Sequence, residues 1–235
     1  MQVEPVRVNT ESGFLMERLG HDTDPLQGLR ETAQNSWQQH ERAHAADPLY
    51  KGQVHVDVDW QFVKTIGVYK RVTVDDGPGF DPATMPDVLN NLFSTTGHQA
   101  MDGNFGVGAR ITEGFANRLG LEYLSWRDGQ GQSAVFRYGS EQDQFGLERF
   151  QLSEDEFDVV RPADESRRHS MIKRHGVMAV CLGSEVGENT YSPPASVRRL
   201  PNAHWVAQYL TRRYFEVPEY IDFRARRFAS GDPTD

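Results

Sequence analysis

The chain has 235 residues, 37% of them hydrophobic and 11% aromatic, which excludes a disordered protein and is enough for one substantial core. A formal net charge of −9 and a pI near 5.4 exclude a protein that coats nucleic acid with its whole surface. The single cysteine, Cys181, excludes a disulfide framework, and with no basic-then-apolar leader and no apolar run of membrane-spanning length a cytoplasmic protein is expected.

Residues 1–23 read as an N-terminal arm. Phe14, Leu15 and Leu19 give it a short amphipathic helix, which packs on its own domain or reaches to a second subunit. Asp24-Pro25 then opens a strong helix, with Asp24 as N-cap, Pro25 in the first turn and Gln27 completing a capping box. The helix is predicted to run to Ala46, ahead of Asp47-Pro48. Its apolar stripe is Leu26, Leu29, Ala33 and Trp37. Glu31 and Asn35 stack four apart on nearly the opposite face. Two readings fit that pair. It belongs to a solvated face with Gln34, Gln38 and Gln39, or the carboxylate activates a water while the carboxamide holds a magnesium ion.

Val54, Val56 and Val58 alternate with polar residues, and Ile66, Val68, Val72 and Val74 continue the period of two. An antiparallel hairpin is predicted, one sheet face polar and the other packed on helices. The second strand ends in Asp75-Asp-Gly77-Pro-Gly79. This is a plain turn, or it holds the Asp75 carboxylate at the mouth of a cleft, beside glycines that let a ligand approach. Such a carboxylate accepts a hydrogen bond from an amino group like that of adenine. Pro82 to Leu92 reads as short helical turns interrupted by Pro86. The polar stretch of about 93–105 reads as a lid or a surface loop, where Ser94, Thr95 and Thr96 offer hydroxyls to phosphate. Gly103-Asn104-Phe105-Gly106-Val107-Gly108 then opens a helix, a geometry whose backbone N–H groups cradle phosphate. A dinucleotide fingerprint is rejected, because a polar lid and not a strand precedes the glycines.

Leu121 to Arg127 and Ser133 to Tyr138 form a predicted hairpin across residues 128–132. Residues 139–175 are charged and poorly patterned and read as an insertion or edge strands. Val177 to Leu182 has the length of a buried strand, with Cys181 as filler. After a loop, Ala203 to Phe215 reads as a helix. Tyr220 to Phe228 reads as a strand with no partner nearby, so that residues 201–235 begin a following module. Between Ala195 and Ser230 seven arginines stand against three acids, a segment that meets phosphates or an acidic partner, or pairs locally.

Glu31-x-x-x-Asn35, Asp75-x-Gly77-x-Gly79 and Gly103-x-x-Gly106-x-Gly108, in that order, resemble the motifs of the Bergerat-fold GHKL family. The family includes DNA gyrase, the ninety-kilodalton heat-shock chaperone, histidine kinases and mismatch-repair ATPases, and Phe105-Gly-Val-Gly108 after a lid looks most like the chaperone, mismatch-repair and microrchidia members. The resemblance spans roughly residues 24–182 and implies an α+β, two-layer sandwich: a mixed, mostly antiparallel sheet with helices on one face. It implies ATP and Mg2+ as ligands, with an ATP-binding domain at 24–200 and a transducer-like module starting at 201. By the same resemblance Glu31 is the general base and Asn35 the magnesium ligand. Asp75 reads adenine, Gly77 and Gly79 shape the pocket floor, and Asn104, Phe105, Gly106, Val107 and Gly108 wrap the phosphates. Thr95 and Thr96 would also contact the nucleotide. Lid closure coupled to a nucleotide-dependent homodimer, and a nucleic acid or protein client engaged outside the core, are further implications.

The sequence departs from the family in three ways. Ser36-Trp-Gln-Gln39 stands where relatives often carry an Asp-Ala pair. Gly176-Val177 replaces a common glycine-threonine. Relatives that hydrolyse ATP usually take a lysine for the γ-phosphate from a following transducer domain, of which this chain holds at most the first elements, so slow or absent hydrolysis is expected. Alternatives to an ATPase are a nucleotide-gated module that does not hydrolyse ATP, and a phosphotransfer domain. The second lacks an evident acceptor, since His21 and His40 read as isolated surface histidines.

Overall fold

The computed structural model describes residues 12–21, 23–24, 26–90, 107–141, 144–154, 156–194, 203–214, 216–229 and 232–234. Helix α1 (Ser12–His21) precedes the long α2 (Gln27–Ala46). Strand β1 (Gly52–Val58), helix α3 (Trp60–Ile66) and strand β2 (Arg71–Asp75) follow, then helices α4 (Met85–Asn90) and α5 (Val107–Ala116). Strands β3 (Leu121–Arg127), β4 (Gln130–Gly139) and β5 (Gln144–Leu147) lead to the short pieces β6 (Phe150–Gln151), β7 (Phe157–Asp158) and β8 (Arg161–Pro162). The chain continues through β9 (Gly176–Cys181), α6 (Trp205–Arg213), β10 (Ile221–Ala225), β11 (Arg227–Ala229) and β12 (Asp232–Thr234).

One sheet of eight strands carries the domain, in the order β10-β1-β2-β9-β3-β4-β5 with β8 also on β4. Among the described residues only the β1–β10 pair in this sheet is parallel. The expected two-layer, mostly antiparallel architecture is therefore present. On one face Val56 and Val58 of β1 pack with Leu29 and Ala33 of α2 and with Trp205, Val206 and Leu210 of α6. Leu29 is fully buried, so Leu29→Ala leaves a cavity worth about 2–5 kcal/mol. Among the described residues no helix is long and apolar enough to cross a membrane.

Several local expectations need correction. Asp24 does bind the chain ahead of α2, its Oδ1 accepting from Leu26 N at 2.9 Å, but the N-cap is Leu26 and no reciprocal capping box forms. The segment between β1 and β2 is not a simple turn. Asp59 caps α3 by accepting from Gln61 N at 3.0 Å, and Gly67, at φ +67°, ends it, so Ile66 is helical. Pro86 sits in the first turn of α4, where its missing N–H is harmless, and does not interrupt it. The β3–β4 connection is a two-residue turn. Asp128 and Gly129 both have positive φ, 52° and 83°, as the twist of a tight hairpin demands.

On the reverse face β1 presents Gln53, His55 and Asp57, which alternate with its valines, and β10 presents Asp222 and Arg224 beside them. Val72, Val74, Leu124, Trp126, Met178 and Val180 form a second core there, closed by Ile172. Part of the 139–175 segment thus lids the reverse face, while β5 and β8 are edge strands. The strand read as lacking a partner, β10, pairs with β1 from Gly52↔Ile221 to Val56↔Ala225. Residues of 201–235 therefore contribute α6 to the main core and β10 to the main sheet.

Candidate functional site

Asp75 ends β2 between two neighbours, paired in register with Val54 and Val177. Its carboxylate is buried, 3% exposed, on the helix side of the sheet. Ser36 of α2 donates to Oδ2 at 2.7 Å and the Gly77 N–H donates to Oδ1 at 3.0 Å. Burial pushes the acid up to about 6, against the opposing pull of His40, the Ser36 hydroxyl and the Gly77 N–H. Thr73 lies one pleat below on the same face, its hydroxyl 3.2 Å from that of Thr32.

The loop after Asp75 depends on its glycines. Gly79 has φ +71°, and a Cβ there would overlap the Trp126 carbonyl oxygen of β3. A Cβ on Gly77 would come within 2.8 Å of Asp75 Oδ1. Phe80 N then donates to Ser125 Oγ at 2.7 Å and fixes the loop to β3. Gly79→Ala is expected to cost about 2 kcal/mol or more, because it meets both a left-handed backbone and a backbone oxygen that cannot yield. Thermal denaturation reads this directly, and an unchanged midpoint would contradict it.

Thr32, Asn35, Ser36 and Gln39 of α2, with Thr73 and Asp75 of β2, line one side of a pocket; Phe80, Leu89, Arg110, Tyr123, Val177 and Ala179 line the other. The enclosed space is about 20 Å³, which is what one water molecule requires. Arg110, from the first turns of α5, is 1% exposed and donates to the Val88 carbonyl of α4 at 2.7 Å. Burial lowers its pKa and raises that of Tyr123 to about 12.

Glu31 lies outside this lining. It pairs with Arg30 at 2.8 Å, and a Cβ on Gly108 would sit 2.5 Å from Glu31 Oε2. Gly28 of α2 is matched in the same way to Glu113 of α5, also at 2.5 Å. The two helices approach at a pair of glycines, each making room for the other helix's glutamate. Gly108 therefore has a packing reason besides any phosphate-cradling one.

The structure brings Asn35, Asp75, Gly77 and Gly79 to one place and sets Glu31 against Gly108 at the start of α5. Thr95, Thr96, Asn104, Phe105 and Gly106, with the lid of about 93–105, lie outside the described residues; Val107 opens α5. The sequence reading missed Thr32, Ser36, Thr73, Gln39, Arg110 and Tyr123. Ser36, noted only as a departure, is a direct partner of the acid; its place one residue after Asn35 was the available signal. His40 is corrected from a surface histidine to a fully buried one, 2.7 Å from the Tyr50 hydroxyl and 3.2 Å from the Gln53 carbonyl. Gly176 opens β9 as read, and a Cβ there would overlap the Asp75 carbonyl oxygen. Cys181 is buried, and burial pushes its thiol up to about 12.

This architecture is the expected Bergerat-type fold, an α+β sandwich with a carboxylate at the end of a central strand facing the helix layer. Among solved structures the chain is similar to the topoisomerase IV ATP-binding domain of Francisella tularensis in complex with a small-molecule inhibitor. That likeness has a TM-score of 0.50 at 10% identity and covers 96% of this chain and 94% of the other. No family model matches the sequence, and no curated protein does either.

Proposed function

We propose that this chain binds ATP with Mg2+ and hydrolyses it, nucleotide state being coupled to lid closure and homodimerisation. The observation that carries the reading is the buried Asp75 carboxylate, fixed by Ser36 and Gly77 in a pocket that Asn35 also lines. A purine amine donating to Asp75 would replace water at the one charged acceptor of that lining. Asn35, one turn from Glu31 on α2, would offer its carboxamide oxygen to the metal, since magnesium takes few protein ligands and completes its shell with phosphates and water. The metal, when bound, neutralises charge on the transferring phosphoryl group. Glu31 would orient the attacking water and accept its proton, held in place by Arg30. Leu89 and Arg110 must swing outward to admit a purine, because the present space is too small. In this reading residues 24–200 form the nucleotide-binding unit, with α6 and β10 of 201–235 completing its core and sheet.

Glu31→Ala is expected to keep ATP binding within a few-fold while phosphate release falls by about 100-fold or more. Calorimetry and a phosphate-release assay on the same preparation read the two effects, and undiminished release would remove Glu31 as base. One observation favours a module that binds without hydrolysing: Glu31 is ion-paired to Arg30 and does not line the pocket. Nucleotide binding with no release from the native chain would establish that second reading.

A further inference from the structure

We propose that the reverse face of the sheet, opposite the one that carries the Asp75 pocket, binds a single-stranded nucleic acid along a cationic groove. The carriers are the run Arg167-Arg168-His169-Ser170-Met171-Ile172-Lys173-Arg174-His175, which holds four cations and no acid within a chain of net charge −9. Two adjoining clefts, of about 640 and 400 Å³, share His55, His169 and Ser170. Lys173 and Arg174 line the first cleft, Lys64 and Arg168 the second.

The groove is built. Ile172 is 3% exposed and anchors the run in the reverse-face core. The Arg168 guanidinium donates to the Lys173 carbonyl at 2.6 Å and lies 5.6 Å from the Trp126 ring centre. Ile172 N closes a turn on the His169 carbonyl at 2.9 Å.

Two of the three carboxylates in these walls, Asp57 and Asp59, are paired with arginines. Asp57 takes Arg226 and, at 3.2 Å, His169. Asp59 shares Arg167, at 2.8 Å, with Glu122, at 2.7 Å. Asp76 accepts from Gln53 N at 2.7 Å and lies 3.7 Å from His40. Against Asp76 stands the exposed charge of Lys64, Lys173 and Arg174, the last sharing the open surface carboxylate of Asp128 at 3.2 Å. Cations at both ends of a track suit a phosphodiester chain, whose binding comes chiefly from neutralised phosphates. Trp60, 37% exposed in the wall of the second cleft with Arg226 over its ring at 4.9 Å, offers a stacking face. An aromatic platform beside a cationic groove selects unstacked bases, hence a single strand.

Fluorescence anisotropy with a labelled 20-nucleotide oligothymidylate, titrated at several salt concentrations, tests this on the full chain. Wild type should bind with affinity that falls steeply with salt. Lys173→Glu with Arg174→Glu should weaken binding about tenfold or more and flatten the salt slope by about 1.4, at 0.7 per phosphate contact. Both residues are exposed, so the melting midpoint should not move; Lys64→Glu, from the other cleft, should weaken binding independently. Trp60→Ala should lower affinity about tenfold. Absence of binding by wild type at 50 mM salt, or equal binding by the charge-reversed protein, overturns the proposal. Tighter binding of a duplex with no effect of Trp60→Ala overturns the single-strand assignment, and displacement of the oligonucleotide by ATP overturns the separation of the two sites.

Discussion

Asp75→Asn is expected to abolish adenine-nucleotide binding, raising Kd by 100-fold or more, while leaving the folded protein as stable as before or more so at neutral pH. The binding loss follows from replacing a charged acceptor by a carboxamide that can present an N–H to an amine, leaving two donors face to face in a buried site. The stability gain follows from burial. The Asp75 carboxyl titrates near 6 in the folded chain against 3.8 in the unfolded one, chiefly because it is desolvated. A folded-state value raised in this way gives a contribution to stability that is fully present below about 3.8 and lost as pH rises through about 6. Above that the ionised group opposes folding by about 3 kcal/mol, at 1.36 kcal/mol per unit. The neutral carboxamide escapes that cost and still accepts from Gly77 N or Ser36 Oγ. Nucleotide affinity should follow the ionised fraction and weaken up to about tenfold per unit as pH falls below 6. Calorimetry from pH 5 to 8, with thermal denaturation of both proteins, separates these effects. Nucleotide binding by Asp75→Asn with wild-type affinity would sink the assignment of Asp75 as the base-reading group.

That prediction was within reach of the sequence because its parts are local. The alternation of Val72 and Val74, the paired acids and the glycines at 77 and 79 stand within eight residues, and the structure keeps Asp75 where they put it. The long helix α2 was legible from its stripe, and β9 from a continuous apolar run. What could not be read was anything set by distant pairing. β10 finds a parallel partner about 170 residues upstream, and such a pairing leaves no mark of its own in either strand. The turn of α3 was misread because Ile66, Val68, Val72 and Val74 satisfy a period of two, although the capping Asp59 and the closing Gly67 were both present. The second core on the reverse face was hidden because its cover, Ile172, lies in a stretch whose charges mask its few apolar residues. Ser36 and His40 were discounted for the same reason: a serine and a histidine on a polar helix face look solvated until the strand beneath them is known.

Glu113→Ala should be the most destabilising single change, costing about 3–5 kcal/mol. Glu113 of α5 and Arg71 of β2 form an ion pair whose side chains are 3% and 7% exposed. Asn117 Nδ2 donates to the same carboxylate at 3.1 Å, and Cys181 Sγ lies 3.2 Å from the guanidinium. Burial pulls the Arg71 pKa down, but Cys181 and Glu113 outweigh it and hold the group above its ordinary value, so it stays charged at every working pH. Removing the glutamate strands that charge in the core, whereas removing both charges need not cost anything. Arg71→Met with Glu113→Leu should recover most of the loss, since a buried pair exchanged for packed apolar groups is often neutral. In a chain of this size the single variant should melt roughly 10 °C or more below wild type. The effect should also reach the candidate site. Arg71 precedes Asp75 by four residues on β2, and Glu113 fills the space that Gly28 leaves where α2 meets α5, one helical turn from Glu31. A weakened pair therefore loosens the strand end that carries the acid and the helix crossing that carries the glutamate. Melting curves of the two single variants and the double variant form the cycle that measures this coupling; a Glu113→Ala midpoint within a degree or two of wild type would mean that the pair does not hold the layers together.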